Sequence, residues 1–232
     1  MTPYYEDEQI QIWHGRWQDV LPAIAIDSSV AVITDPPYGT GGWRRPEAGN
    51  GSDPSASLIV EDWDDGAIEW IAPCSVAALV LTFWPAARTS KLLAAADAAD
   101  LTKHRAVYLR KPDPKPQVGG RISWSCEPVW ALSRDGVVLY GKSDWHEASA
   151  PRVNRNLDAT GHPYQKPTSA MKWLVAMTKQ PIILDPFMGS GTTLLAAKTL
   201  GRRAIGIEQD EAWCAATVSR LQQSVMDLGV VA

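Results

Sequence analysis

The chain has 232 residues, of which 45% are hydrophobic and 21% are charged, as is typical of a globular protein that forms one domain with a sizeable core. No apolar run approaches the ~18 residues that a membrane span requires, and the acidic, polar N-terminus gives no expectation of a signal peptide. The formal net charge of -4 gives no bulk sign of nucleic-acid binding, although a local basic face depends on where the charges lie.

Three cysteines, Cys74, Cys126 and Cys214, lie far apart and form no CxxC pair. This spacing predicts neither a zinc site nor a disulfide framework, and the scattered histidines add no metal-ligand pattern. We therefore expect reduced thiols, a cytoplasmic location, no requirement for a metal and no association with a membrane.

The first half of the chain alternates short apolar runs with helical patterns. Residues 29–34 are apolar and β-branched, which predicts a buried strand of a parallel sheet. Asp35-Pro36-Pro37 ends that strand, because two prolines cannot continue a ladder. Residues 39–57, rich in Gly, Pro, Ser and Asn, predict a mobile loop. The other predicted elements are strands over 9–13, 75–84 and 106–110, a short helix or turn over 20–26, and helices over 65–74 and 86–99.

The second half continues the alternation. Residues 129–133 and 137–140 are predicted to pair as a hairpin across the turn Arg134-Asp135-Gly136, and residues 141–167 are irregular. Further predictions are helices over 168–178 (Thr168 as N-cap), 192–200 (closed by Gly201) and 211–224, and strands over 182–184 and 204–207. Strands that alternate with helices predict an α/β protein with a doubly wound, mostly parallel sheet.

A glycine-rich segment between a strand and a helix is the first candidate site. It reads Asp185-Pro186-Phe187-Met188-Gly189-Ser190-Gly191-Thr192-Thr193. Its glycines let the backbone turn tightly and approach a ligand, and the helix N-terminus beyond them favours a negative group. Asp185 is a candidate for binding a ligand ammonium, and Glu208, which ends the next strand, for binding ribose hydroxyls. The alternative is an ordinary glycine turn followed by a surface glutamate.

The second candidate site is Asp35-Pro36-Pro37-Tyr38, a rigid turn at the carboxyl end of a strand, where α/β proteins bind ligands. Asp35 and the Pro36 carbonyl can accept the two hydrogens of a planar amino group, and Tyr38 can stack on the ring that carries it. The alternative is a strand-ending turn with a packed tyrosine.

Taken together, these two motifs resemble those of the DNA amino-methyltransferases, the N6-adenine and N4-cytosine family. The catalytic motif precedes the cofactor motif by 150 residues (185 minus 35), an order similar to that of the permuted beta class. His162-Pro163-Tyr164-Gln165-Lys166-Pro167 is similar to the family's His-Pro-x-Gln-Lys-Pro segment, which lines the methionine end of the cofactor. Residues 123–132, with Glu127, resemble the segment after the family's central Lys/Pro loop.

The resemblance implies a Rossmann-like S-adenosylmethionine-dependent methyltransferase fold over residues 1–232, with S-adenosyl-L-methionine as cofactor and DNA as substrate. Catalytic roles are implied for Asp35, Pro36, Pro37 and Tyr38. The implied cofactor-binding residues are Asp185, Pro186, Phe187, Gly189, Ser190, Gly191, Thr192, Thr193, Glu208, Gln209, Gln165, Lys166, Pro167 and Trp17.

The chain departs from the family in two places. Family members often carry Gly-Asp after the first strand, where the aspartate helps to hold the cofactor adenine; here the sequence is Gly15-Arg16-Trp17, so either Trp17 stacks on the adenine or Asp19 replaces the family's aspartate. The region available for target recognition is also short. Specificity would then depend on residues 39–57, on residues 141–161 or on a partner, and a homodimer is compatible with this.

Direct methyl transfer needs alignment and electrostatics more than a covalent intermediate, so no nucleophilic cysteine is required. The target base is expected to be flipped out of the duplex into a pocket at Tyr38. Adenine N6 is the expected target, because the family tends to pair Asp-Pro-Pro-Tyr with adenine, and cytosine N4 is the alternative. Two other functions remain open: methylation of RNA or of a protein amide nitrogen, and a non-catalytic DNA-binding subunit.

Overall fold

The computed structural model describes residues 1–37, 68–112, 125–148 and 165–228. The strands are β1 (Tyr5–Glu6), β2 (Ile10–His14), β3 (Val30–Thr34), β4 (Leu79–Phe83), β5 (Lys103–Arg110), β6 (Cys126–Ser133), β7 (Trp145–Glu147), β8 (Ile182–Asp185) and β9 (Arg203–Glu208). The helices are α1 (Trp17–Val20), α2 (Ile71–Cys74), α3 (Thr89–Ala98), α4 (Thr168–Ala176), α5 (Thr192–Thr199) and α6 (Glu211–Leu228). Within these ranges, no helix is long and apolar enough to cross a membrane.

The described strands form one sheet in the order β1-β2-β9-β8-β3-β4-β6-β5-β7. The five strands from β2 to β4 run parallel, whereas β6 is antiparallel to both of its neighbours. The chain leaves β3 toward β4 on one side and leaves β8 toward β9 on the other. The crevice outside the carboxyl ends of β3 and β8 is therefore a topological switch point, where open α/β sheets bind ligands.

Two hydrophobic clusters cover the two faces of this sheet. Side chains of α1, α2 and α3 contribute to one cluster, and side chains of α4, α5 and α6 to the other. All five residues of β3 and of β4 are buried, as expected for central parallel strands covered on both sides. Burial of each Leu, Ile or Val side chain contributes about 1.5–3 kcal/mol, so the core fixes the strand ends that carry the site.

The hairpin prediction for residues 129–140 is wrong. β6 pairs along one edge with β4 and along the other with β5, so no edge is left for residues 137–140. The Tyr140 N–H donates instead to the Met177 carbonyl oxygen, at 3.0 Å. Strand β7 was not predicted: it lies in the segment predicted to be irregular and pairs with β5. The absence of the hairpin and the presence of β7 both depend on pairing with strands that are distant in the sequence, which local turn signals do not reveal.

Several element boundaries also differ from the predictions. The described part of the predicted 65–74 helix is α-helical only at Ile71–Cys74, and the 86–99 helix begins as a 3-10 turn over Ala86–Arg88. Pro167 takes the N-cap position of α4, so Thr168 is the first helical residue. Gly201 lies one residue beyond the C-cap of α5 and adopts φ 68°, the left-handed conformation that ends many helices. The predicted mobile loop over 39–57 lies outside the described residues.

Candidate active site at the carboxyl edge of the sheet

The Asp-Pro-Pro turn directly follows β3, as predicted. Pro36 is buried and Pro37 is half-buried, so the turn is packed against the protein. The Asp35 side chain is 22% exposed, and its Oδ2 lies 3.1 Å from the Lys166 Nζ. Asp35 therefore presents its carboxyl group, paired with Lys166, at the switch point. Tyr38 lies outside the described residues, as do His162, Pro163 and Tyr164.

A buried hydrogen bond joins the two candidate loops. The Thr34 hydroxyl, at the end of β3, donates to Asp185 Oδ1 at 2.7 Å. The Thr193 hydroxyl donates to Asp185 Oδ2 at 2.6 Å, and the Phe187 N–H donates to Oδ1 at 3.1 Å. Asp185 thus fixes the glycine loop and the start of α5 relative to the residue that precedes Asp35.

Asp185 is also electrostatically unusual. Its side chain is only 3% exposed, and burial raises the pKa of Asp185 to about 6, although hydrogen bonds from Thr193 and Thr34 oppose the shift. In the described part of the chain, no lysine or arginine forms an ion pair with this carboxylate. A buried carboxylate of this kind is suited to pair with a cationic group of a ligand.

The glycine loop passes very close to helix α6. Gly189 and Gly191 have φ values of 49° and 71°, which glycine adopts at little cost. A β-carbon at Gly191 would overlap the Thr217 side chain of α6. The loop conformation therefore requires glycine at this position for two independent reasons.

Replacing Gly191 by alanine is expected to lower the free energy of unfolding by about 2–4 kcal/mol, because overlap with Thr217 adds to backbone strain. Urea denaturation of both proteins measures this. Gly201, whose added β-carbon would meet no atom within 4 Å at φ 68°, provides the matched control, since Gly201→Ala carries the same backbone strain without the overlap. An equal loss of stability in both variants would contradict the close packing of the loop on α6.

Glu208, at the end of β9, accepts hydrogen bonds from the backbone of the glycine loop and of the segment before α6. Its Oε2 accepts the Gly189 N–H at 3.0 Å, and its Oε1 accepts the Asp210 N–H at 2.9 Å. Burial raises the pKa of Glu208 above its ordinary value, against these backbone donors. The neighbouring Gln209 offers its carbonyl oxygen to the His14 ring, 3.1 Å from Nε2. The structure therefore brings Glu208 and the glycine loop together, as the sequence predicted.

The other residues predicted to bind the cofactor differ in how deeply they are buried and in what they contact. Ser190, Thr192 and Thr193 are buried beside Asp185 or in the loop, and Gln165 is 9% exposed. Pro167 is buried, and Phe187 is half-buried and packs edge-to-face on Trp70 with ring centroids 6.1 Å apart. Pro186 lies between Asp185 and Phe187 in the turn that follows β8.

Two residues after β2, Trp17 and Asp19, are candidates for contacting the cofactor adenine, and they differ in burial. Trp17 begins α1, is 8% exposed and packs in the hydrophobic cluster of the α1–α3 face. Arg16 and Asp19 are exposed. The choice between Trp17 and Asp19 for the cofactor adenine therefore stays a prediction.

Sequence reasoning gave no role in the site to three residues that the structure brings to it. Glu127 and Lys111 lie beside Lys166, with Lys111 Nζ at 3.2 Å from Glu127 Oε2. Arg220 of α6 donates to the Ser190 carbonyl oxygen and to the Thr192 hydroxyl, each at 3.1 Å. Their signal in the sequence is weak, because each acts through a contact with a distant segment.

The cysteines carry no sign of nucleophilic chemistry. Burial raises the pKa of Cys74 and of Cys214 to about 12, so both remain thiols at neutral pH. Cys126 is exposed at the start of β6.

A doubly wound, mostly parallel sheet with these two loops at its switch point is the Rossmann-like fold of S-adenosylmethionine-dependent methyltransferases. The chain belongs to the DNA methylase family of N6/N4 type, whose family model matches residues 96–219. The matched region contains the glycine loop, Lys166 and Glu127. It begins after Asp35.

Comparisons along most of the chain agree with this assignment. The Type II methyltransferase M2.LlaDCHI of Lactococcus lactis subsp. cremoris is 27% identical over 95% of this chain and 92% of its own length. The crystal structure of an M1.HpyAVI–SAM complex has a TM-score of 0.66 and 25% identity, covering 91% of this chain and 98% of the other. The PvuII DNA methyltransferase, described as cytosine-N4-specific, shares the fold with a TM-score of 0.70 and 18% identity, covering 94% of this chain and 88% of the other.

Proposed function

We propose that this chain transfers a methyl group from S-adenosyl-L-methionine to the exocyclic N6 of adenine in DNA. The observation that carries the proposal is the position of Asp35. Its carboxylate follows β3 at the switch point, one residue from the Thr34 hydroxyl that bonds to Asp185 of the glycine loop at 2.7 Å. An amino group held at Asp35 would thus lie beside a cofactor held by the loop.

The residues of the glycine loop fit the cofactor chemically. S-adenosylmethionine carries two cations, an ammonium and a sulfonium, and a ribose with two hydroxyls. The buried Asp185 carboxylate, which no described lysine or arginine neutralises, suits the cationic methionine end. Glu208, beside Gly189, suits the ribose hydroxyls. When bound, the cofactor supplies a methyl group on a cationic sulfur that is already activated toward nitrogen nucleophiles.

Asp35 would activate the acceptor nitrogen. The lone pair of an exocyclic amine is delocalised into its ring, which makes the nitrogen a poor nucleophile. By accepting one N–H at its carboxylate, with the Pro36 carbonyl accepting the other, Asp35 would raise the electron density on nitrogen and orient it. The same carboxylate would take the proton that the nitrogen loses. We predict that Tyr38 stacks on the base.

The choice of adenine over cytosine depends on the first residue of the tetrad, which is aspartate, as the family tends to have for adenine. The PvuII enzyme, which is described as cytosine-N4-specific, has the same fold, so N4-methylcytosine is the alternative product. The flipped base, a homodimer and target recognition by residues 39–57 or 141–161 are predictions that accompany the proposal. Of the second segment, residues 141–148 are described and contain β7 with Trp145, which is 49% exposed.

Sequencing with modification detection, applied to DNA from bacterial cells that express this chain, tests the proposal. We expect N6-methyladenine in one sequence context and unmodified DNA in cells that express Asp35→Ala. N4-methylcytosine in a defined context would replace the adenine assignment by the alternative. Absence of any modified base, with the protein folded and expressed, would contradict the proposed function.

A further inference from the structure

The Lys166 ammonium lies between two carboxylates from different parts of the sheet. Its Nζ is 3.1 Å from Asp35 Oδ2 and 2.6 Å from Glu127 Oε1. We propose that Lys166 and Glu127 are positioning residues that hold the Asp35 carboxylate ionised and oriented before the substrate amine binds. This inference rests on the proposed function, because it assigns a role to Asp35 in that reaction.

The fold brings this group together across three adjacent strands. Asp35 follows β3, and Glu127 lies near the start of β6, which is antiparallel and therefore begins at the same edge. Between them, the Phe83 ring at the end of β4 lies 4.1 Å from the Lys166 Nζ, within cation–π range. Lys166 itself comes from the segment before α4 and crosses the end of the sheet to reach them.

The burial of these side chains separates the arrangement from an ordinary surface ion pair. The exposed fractions are 16% for Lys166, 22% for Asp35 and 21% for Glu127, and Phe83 is fully buried. Charges in such surroundings are screened weakly, so their mutual orientation has a large effect on each protonation state. Exposed ion pairs, by contrast, contribute little.

The charges alternate in sign along the group. Lys111 contacts Glu127 at 3.2 Å, Glu127 contacts Lys166, and Lys166 contacts Asp35. The shorter distance of Lys166 is to Glu127, so Glu127 anchors the ammonium while the ammonium also contacts Asp35. An isolated buried carboxylate would take up a proton, whereas a carboxylate beside an ammonium is stabilised in its ionised form.

The pKa shifts agree with this geometry. Burial alone would lower the pKa of Lys166, but the Asp35 and Glu127 carboxylates outweigh it and raise the pKa above its ordinary value. Burial alone would raise the pKa of Glu127, but the Lys166 and Lys111 ammoniums outweigh it and lower the pKa. Asp185 and Asp35 also interact electrostatically. Around Asp35, the charged groups therefore include Lys166 and Asp185, and Glu127 and Lys111 join this group through Lys166 and Glu127.

Two substitutions are expected to shift the pH profile of kcat in opposite directions. The part that shifts is the acid limb, where kcat falls as Asp35 takes up a proton. Lys166→Met removes a positive charge beside Asp35, so the acid limb moves to higher pH by about one unit or more. Glu127→Gln removes a negative charge from the same ammonium, so the limb moves to lower pH, and kcat falls because Lys166 loses its anchor. Lys166→Arg is expected to restore part of the kcat that Lys166→Met loses.

The measurement is the pH profile of kcat on DNA at saturating S-adenosylmethionine, with the cofactor Kd determined by calorimetry over the same range. Lys198→Met is the matched control, since Lys198 is also 16% exposed and pairs with a carboxylate, that of Asp7, at 2.7 Å. Asp7 lies between β1 and β2, at one end of the strand order and away from Asp35. The acid limb of Lys198→Met is expected to coincide with that of the parent protein.

Shifts of the same sign in both variants, or a Lys166→Met profile that changes only in Kd, would overturn the inference. If Lys166→Met does not fold, the direction of the Glu127→Gln shift decides alone, because that change preserves shape. Failure of the proposed function has a different signature, which is absence of DNA methylation in the parent protein at every pH.

Discussion

Replacement of Asp35 by alanine is expected to lower the rate of methyl transfer to DNA by at least about 10³-fold, the scale typical of losing a group that acts on the reacting atoms. The variant loses the acceptor that would orient the amine and increase its electron density. The cofactor Kd is expected to change by less than about threefold, because the contacts of Asp185 and Glu208 with the glycine loop do not involve Asp35.

Single-turnover transfer from radiolabelled cofactor measures the rate, and calorimetry measures the Kd. Asp135→Asn is the matched control, since Asp135 is an exposed carboxylate after β6, at the opposite edge of the sheet. Retention of more than a tenth of the parent rate by Asp35→Ala would remove Asp35 from the reaction, and loss of cofactor binding in the same variant would make its role structural.

Replacement of Asp185 by asparagine is expected to weaken cofactor binding but to stabilise the cofactor-free protein. Asparagine can accept from the Thr34 hydroxyl and the Phe187 N–H at Oδ1 and donate from Nδ2 to the Thr193 hydroxyl oxygen, so the hydrogen-bond geometry is preserved. The buried negative charge is lost. We expect the affinity for S-adenosylmethionine to fall by about 10-fold to 100-fold, because a cation meets no carboxylate there.

The stability of the cofactor-free protein should change in the opposite sense. The folded-state pKa of Asp185 is raised from 3.8 to about 6, so the folded protein binds this proton more tightly than the unfolded chain. The contribution of Asp185 to stability is therefore fully present below pH ~4, declines as the pH rises to ~6 and stays lower above that, by about 2–3 kcal/mol. Asp185→Asn removes this loss and should raise the free energy of unfolding at pH 7, measured by urea denaturation. Lower stability with unchanged cofactor affinity would contradict this account of Asp185.

Local sequence signals were sufficient for the elements that carry both loops. The β-branched run before Asp35 and the strand–glycine–helix order after Asp185 predicted β3, β8 and α5, and hence the doubly wound sheet. The alternation of buried strands with helices is a local property, and the two motifs are contiguous in the chain. Because β3 and β8 are parallel, the two motifs that follow them lie at the same edge of the sheet.

The parts that the sequence did not predict depend on pairing between distant segments. The Arg134-Asp135-Gly136 turn signal suggested a hairpin, but β6 already uses both of its edges. The role of Lys166 at the cofactor stays a prediction, and the contacts of its ammonium with Asp35 and Glu127 were not predicted. Glu127 precedes a proline inside a strand, and nothing in its neighbourhood indicates an ion pair with a residue 39 positions away. Residue type alone cannot reveal such contacts.

The proposed reaction is methyl transfer from S-adenosylmethionine to an exocyclic amine of a DNA base. The most direct test incubates the purified chain with methyl-tritiated cofactor and with DNA, RNA and protein acceptors in parallel, then separates the hydrolysed products by chromatography. We expect label in DNA, in N6-methyladenine, and none above background with Asp35→Ala. Label confined to RNA, to protein or to 5-methylcytosine, whose formation needs a nucleophile other than Asp35, would contradict the claim.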